Sequence, residues 1–442
     1  MDELKSYLKL HSGSELYPSD IAKILRELDE NEFSEAIKLI PKNIIGDVAL
    51  ELPDRYFDDI VESLKVEDLT QAVRELESDD QVEFMQELQD VDKYKASKVF
   101  ENLDKDEQQE ITMLQSYNED EAGAYMQTEL FTAKVDEVVQ DAIKRFSKLK
   151  KANEIENVHT IFITDDRNRL LYAIDLDDIL TFDFSLTFNQ NIKDNRENFE
   201  PIKAYDTEDI KEVVNYFKEY DLSVIPIVNR DNILLGRITS DDIYDIINEQ
   251  ATEQMYNLAG VDDEAEEDED VFKASKTRAT WLGINLLTAI LASIVIGFFQ
   301  DTINGMVALA VLMPIVASMG GNAGTQTLTV VVRQLALGEI SHSEATRIIK
   351  KEVTISLLNG ILFAIIMGII ASIWFNKGML GVVIALSMIV NLFMAGLFGS
   401  IIPLLLKKMS IDPAIGSTVI LTTITDVVGF FSFLGLATII LL

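Results

Sequence analysis

The sequence has no cysteine, so neither a disulfide nor a thiolate metal site contributes to its structure. Histidine is nearly absent too: His11, His159 and His342 are the three. A metal that prefers nitrogen or sulfur, such as zinc or copper, therefore finds almost no preferred ligand. Positive charge is scarce, with 38 Lys plus Arg against 74 Asp plus Glu, a formal net charge of −36. So acidic a chain is unsuited to nucleic acid or to anionic lipid. What it offers in quantity is carboxylate oxygen, the donor of hard cations. The same acids equally serve to keep a large water-exposed module soluble.

The charge is unevenly placed. From Trp281 to the end there are six acids and seven bases, whereas residues 1–280 hold 68 acids and 31 bases. The second half contains long uncharged stretches, beginning with WLGINLLTAILASIVIGFF at 281–299. A spanning helix needs about 20 apolar residues. Five spans are expected, at 281–300, 305–336, 353–375, 379–406 and 415–440. With the acidic half inside, Arg333, Arg347, Lys350, Lys351, Lys407 and Lys408 all fall in internal loops, as the positive-inside rule requires. The opening MDELKSYLKL lacks the apolar core of a signal peptide. The expectation is a multi-pass protein of the cell (inner or plasma) membrane, with cytoplasmic N-terminal domains and an outward C-terminus.

Two spans carry more than an anchor needs. The second holds Pro314, Gly320, Gly321, Asn322, Gly324, Thr325 and Gln326. Pro and clustered Gly kink or unwind a helix, which at membrane depth is tolerated only where backbone lines a cavity or is buried in protein. The fifth holds Asp426, preceded by Thr422, Thr423 and Thr425. A carboxylate there requires a cation, a proton or water. One carboxylate among neutral oxygens suits a divalent cation that keeps most of its water, as Mg²⁺ does; a protonated Asp bonded to a neighbouring helix is the structural alternative. Two chains meeting at a two-fold axis would face two copies of Asp426 across one path.

The acidic half is modular. Ile161–Leu180 and Ile225–Tyr244 match at nine of 20 positions, 64 residues apart. Each reads as strand, turn, strand and a helix opening with Asp-Asp, preceded by a helical pattern at Val135–Phe146 or Asp209–Tyr220. This duplication resembles a tandem pair of CBS domains, a ligand-sensing module. GRITSDD, Gly236–Asp242, is close to the Gly-x-x-Thr-x-x-Asp pattern that contacts adenosine ribose in some such pairs. Thr239 and Asp242 are thus candidates to bind ATP or another adenine nucleotide, or else they form an ordinary strand-to-helix turn. Residues 20–124 read as helices, with recurring segments at Glu51–Leu64, Glu75–Leu88 and Asn102–Leu114 that imply a stacked-helix superhelix. On a helix from about Asp242 to Ala259, the acids Asp242, Asp245, Glu249 and Glu253 share one face. Like charges at these spacings repel; bound cations offset that, or the face is simply solvated. DDEAEEDED, Asp262–Asp270, reads as a disordered linker.

Met313–Ile340 (MPIVASMGGNAGTQTLTVVVRQLALGEI) and Asp412–Phe430 (DPAIGSTVILTTITDVVGF) resemble the signatures of the MgtE magnesium channels, as does WLGINLLTAILAS in the first span. The order of the cytosolic modules matches as well. The resemblance implies a multidomain membrane protein: an all-α superhelical N-terminal domain (1–124), an α/β tandem CBS pair (125–250), a connecting or plug helix with acidic linker (251–279) and a five-helix transmembrane domain (280–442). It implies a homodimer conducting Mg²⁺ along a path lined by the second and fifth spans, with Asp426 at a hydrated Mg²⁺ and Asn322, Thr325 and Thr422 nearby. It further implies that cytosolic Mg²⁺, held by acids around the connecting helix, locks the path shut. Gln250 and Gln254 stand where relatives often have acids, and Thr325 where some have Asn. Carriage of another divalent cation such as Co²⁺, and a membrane-anchored Mg²⁺ or nucleotide sensor that transports nothing, are the alternatives. An enzyme is not expected, because an intramembrane aspartic protease needs paired carboxylates and one lies deep in the spans.

Overall fold

The computed structural model describes the chain except for residues 12–15, 153–154, 156–157, 262–270, 337–339, 341–343, 410 and 442. The acidic run Asp262–Asp270 therefore lies outside the described residues. Two compact units result, Met1–Asn248 and Glu249–Leu442.

The first unit begins with short helices, from Asp2–Leu10 through Lys105–Leu114. From the second onward each packs on the next but one, the pattern of a superhelix in which every helix buries one stripe between its neighbours. Local chemistry marks the helix starts. Asp92 accepts from the amides of Tyr94 and Lys95, and Asp104 with Glu107 closes a capping box. The duplicated segment forms two three-stranded sheets. β1 (Thr132–Lys134) lies parallel to β2 (Thr160–Thr164), which pairs antiparallel with β3 (Leu170–Asp175). β4 (Ala204–Tyr205), β5 (Val224–Val228) and β6 (Leu234–Thr239) repeat the arrangement. The hairpin turns use Asn168 and Asn232 in the left-handed region, with φ of 59° and 62°. They also join the repeats: Leu170 N donates to Asn232 O at 2.9 Å and Leu234 N to Asn168 O at 3.0 Å. β1 and β4 are too short to show an alternating pattern, and the sequence reading missed both.

The helices that follow the two hairpins differ in length. After β3 there is only Leu176–Ile179, whereas after β6 the helix runs unbroken from Ser240 to Ala259. The boundary drawn at residue 250 falls inside it.

Among the described residues the second unit contains five helices long and apolar enough to cross a membrane: Ala274–Gly297, Ala308–Ala336, Ala345–Phe375, Gly378–Lys408 and Ser417–Leu441. The first ends before residue 300, where a separate short helix, Gln300–Gly305, begins. The third starts earlier than its uncharged stretch, because Arg347, Lys350 and Lys351 form its exposed first turns. The second span is one continuous helix through Pro314 and the glycines, so the expected unwinding is corrected. The glycines serve close approach instead: a Cβ on Gly399 of the fourth span would stand 2.9 Å from the Gly324 carbonyl of the second. The fourth span is the hub, packed against the second, third and fifth.

Candidate functional site

On the second span Ser318, Asn322, Thr325 and Thr329 are exposed and spaced 4, 3 and 4, so a polar stripe runs down one helical face. Lipid does not satisfy such a stripe; water or a second protein surface does. The fifth span packs beside it, with Leu421 filling the place where a Cβ on Gly324 would sit, at 3.0 Å. Asp426 is half-buried on that fifth span, and no partner for its carboxylate is found among the described residues. Thr422, Thr423 and Thr425 donate their hydroxyls to carbonyls of their own helix, at 2.8, 2.7 and 3.0 Å. Their oxygens keep lone pairs free to accept. The second span thus carries an amide and hydroxyls and the fifth a carboxylate and hydroxyls, oxygen donors of the kind suited to a cation that retains its water.

The end of the helix Ser240–Ala259 reaches the same place. Thr418 Oγ1 donates to Leu258 O at 2.9 Å. The Leu258 side chain packs with Leu328 and Val332 of the second span, Ile402 of the fourth and Leu421 of the fifth. Thr418 lies two turns before Asp426 on one rigid helix.

The four acids singled out on that helix stand in different settings. Asp245 and Glu249 are exposed, and Glu253 accepts from Asn257 Nδ2 at 3.3 Å. Asp242 is turned inward, accepting from Thr239 N and Oγ1 at 3.0 and 2.6 Å and from Gln127 Nε2 at 3.3 Å. Three acids that the sequence reading did not select, Glu77, Asp79 and Asp80, stand near it. They open the helix Ser78–Val91, and acids in a first turn are ordinarily no more than partners of the helix dipole. Here burial and mutual repulsion push Glu77 up to about 7 and Asp80 up to about 8, and raise Asp79 well above the carboxylate range. Asp242 is raised as well, chiefly by burial. Asp79 Oδ1 is buried with no donor among the described residues. Ser78 fixes the cluster by donating to Glu129 Oε2 at 3.0 Å and accepting from Thr128 N at 2.8 Å. Arg237, buried beside it, is 4.0 Å from Glu77 Oε1. The sequence signal was present in ELESDDQ, but read as part of a repeat.

No group of three or more acidic or histidine side chains converges at metal-ligand distance among the described residues.

Raised carboxylates bind protons in the fold that they release in the unfolded chain. Their contribution to stability is full below the unfolded values near 4 and is lost as pH rises through about 7 and 8. In metal-free buffer, amides of the helix Ser78–Val91 should exchange faster at pH 8.5 than at pH 6, after correction for intrinsic exchange. Millimolar Mg²⁺ should restore their protection at pH 8.5. Equal protection at both pH values would contradict this.

A cleft of about 630 Å³ opens between the CBS-like repeats, lined among others by Phe162, Leu176, Tyr220 and Pro226 with Asp175, Asp177, Glu200 and Asp221. Thr239 and Asp242 do not line it; they bond each other instead. Its apolar walls and carboxylates fit a heterocycle and a ribose diol. No Lys or Arg is among the described residues that line it, and His159 is the basic side chain found there. Millimolar ATP without Mg²⁺ should accordingly leave the melting temperature unchanged within about 1 °C, where a ligand at 100 times its Kd would add about 2.7 kcal/mol. A rise of several degrees would show that the cleft does accept the phosphates.

The chain matches the divalent cation transporter family MgtE over residues 313–436, the MgtE intracellular N domain over 16–120 and the CBS domain over 122–184 and 197–249. It is 30% identical over 333 residues to the magnesium transporter MgtE of Bacillus subtilis (strain 168), covering 75% of this chain and 72% of that one. It is 31% identical over 328 residues to the magnesium transporter MgtE of Enterococcus faecalis (strain ATCC 700802 / V583), covering 74% and 71%. Among solved structures it is similar to the cytosolic domain of the Mg²⁺ channel MgtE in complex with ATP, with 25% identity, a TM-score of 0.47, and coverage of 52% of this chain and 91% of that one.

Proposed function

Since the chain belongs to the MgtE family of magnesium transporters, we propose that it is a Mg²⁺-selective channel that takes up magnesium and is closed by Mg²⁺ on its cytosolic side. The observation that carries this reading is the fifth span. It holds a carboxylate at membrane depth and packs against the second span, which carries the polar stripe, and its first turn is bonded to the end of the connecting helix.

In this reading residues 280–442 conduct and residues 1–250 sense, with the helix Ser240–Ala259 and the linker to residue 279 between them. The exposed stripe Ser318–Asn322–Thr325–Thr329 is covered by a second copy, so the conducting form is a homodimer with two copies of Asp426 at one path. The basic turns at Arg347–Lys351 and Lys407–Lys408 support a cytoplasmic sensing half and an outward C-terminus. Mg²⁺ enters still hydrated, is attracted by Asp426 and exchanges contacts with Asn322, Thr325 and Thr422.

Gating is linkage: cytosolic Mg²⁺ favours whichever state binds it better. At low Mg²⁺ the carboxyls of Glu77, Asp79, Asp80 and Asp242 repel one another as they ionise, which loosens the packing of Ser78–Val91 against the CBS-like repeat. Mg²⁺ removes that repulsion, and the connecting helix, which opens at Asp242 and ends at Leu258, transmits the difference to the fifth span. Adenine nucleotide has no part in this scheme.

The test is uptake into proteoliposomes containing the full chain, with Mg²⁺ varied on the cytosolic face and Co²⁺, Mn²⁺ and Ca²⁺ as competitors. Mg²⁺ uptake suppressed by cytosolic Mg²⁺ supports the channel and its sensor together. Absence of uptake by folded protein under every condition would leave a receptor without transport.

A further inference from the structure

Buried hydroxyls of the fourth span are satisfied within it: Ser387 Oγ donates to Ile384 O at 2.9 Å and Ser400 Oγ to Gly396 O at 2.8 Å. Asn391 is different. It is 0% exposed, and its side chain leaves its own helix. Nδ2 donates to Val316 O of the second span at 2.8 Å, while Oδ1 is buried with no donor among the described residues. An unsatisfied buried acceptor destabilises the fold, and a leucine there would avoid that cost. A polar group kept at such a cost in an apolar bundle calls for a role.

Its surroundings supply one. Glycine stands on both sides of the amide. On the second span, a Cβ at Gly320 would overlap the Asn391 amide nitrogen; on the fifth, a Cβ at Gly429 would lie 2.8 Å from it. The amide is thus clamped where the second, fourth and fifth spans meet. Gly320 precedes Asn322 by two residues, and Gly429 follows Asp426 by three, less than one turn in each case. Val316 O is also the carbonyl that would accept from Gly320 N in an uninterrupted helix, so the side chain holds the turn just ahead of Asn322. The second span has no charged group in this region and carries Pro314 two residues before Val316, so the amide adds a directional bond to packing that is otherwise apolar.

We propose that Asn391 is a positioning residue for the ion path: its amide pins the Val316–Gly320 turn between the fourth and fifth spans and so sets the spacing of Asn322 from Asp426, on which discrimination among cations depends. The residue touches no ion. The idea rests on the reading that the second and fifth spans line the path. A bore defined by neutral oxygens and one carboxylate selects by spacing, because Mg²⁺ keeps its shell whereas larger or monovalent cations shed water more readily.

The experiment uses the full chain in proteoliposomes and measures Mg²⁺, Ca²⁺ and Na⁺ uptake for the unaltered protein, Asn391→Leu, Gly429→Ala and Asp426→Ala. Asn391→Leu should remain folded, with an unchanged elution profile and a melting temperature equal or higher. Its preference for Mg²⁺ over Ca²⁺ and Na⁺ should fall about tenfold or more. Gly429→Ala, which keeps the amide and displaces it, should shift the preference in the same direction, and it decides the matter if Asn391→Leu does not fold. A purely structural asparagine would change the yield of folded protein and leave the preference untouched. Wild-type preference in both folded variants, with Asp426→Ala inactive, overturns the positioning role alone. Normal uptake by Asp426→Ala overturns the reading of the path, and the positioning role with it.

Discussion

Asp426→Ala should lose Mg²⁺ uptake to the limit of detection while the protein folds normally. No side chain of the described residues pairs with Asp426, so removing it breaks no bond within the fold. Its loss spares the bundle a costly group, and the melting temperature should hold or rise. For the ion the balance is reversed. A divalent ion about 5 Å from one carboxylate, through an effective dielectric near 20, is attracted by roughly 6 kcal/mol. A quarter of that is already about tenfold in occupancy. Asp426→Asn keeps the shape and removes the charge, so it separates the two contributions: uptake as poor as in the alanine variant assigns the effect to charge. Wild-type uptake in either variant would show that the ion takes another route.

Neutralising the cluster, as Asp79→Asn with Asp80→Asn and Asp242→Asn, should flatten the dependence of uptake on cytosolic Mg²⁺. The concentration that halves uptake should move by about tenfold or more, since each 1.4 kcal/mol of coupling is worth that factor. The physical argument is that Mg²⁺ acts here by relieving repulsion among partly buried carboxylates, and these are the groups whose repulsion the fold creates. Asparagine at 242 still accepts from Thr239, so the start of the connecting helix is preserved. Neutralising Asp245 and Glu249, which are exposed, should have the smaller effect. An unchanged inhibition curve in the triple variant would place the sensor elsewhere.

Much of this arrangement is written locally. Uncharged runs of twenty or more residues determine the spans, because a bilayer accepts little else. The 64-residue repeat determines two like hairpins down to the left-handed asparagines at 168 and 232, because alternation and turn residues act over a few positions. Asp426 and the polar residues of the second span stand out for the same reason, being costly where they are.

Other features depend on residues far apart in the chain. Glu77, Asp79 and Asp80 look like an ordinary helix start until the fold sets them near Asp242, more than 160 positions later, and buries them together. The clustered glycines promised a broken helix; the continuous helix became evident once their partners, Asn391, Gly399 and Leu421, were seen to occupy the space that side chains would fill. The strands β1 and β4, of three and two residues, exist because β2 and β5 offer them an edge. The sequence by itself determined the five spans, the repeat and the lone intramembrane carboxylate of the fifth span, since each follows from hydrophobicity or short-range pattern, and its motifs carried the family resemblance. Only the tertiary structure decided which acids repel one another, which helix end meets the fifth span and what the glycines are for, since burial, charge repulsion and close packing are properties of pairs that the chain brings together only when folded.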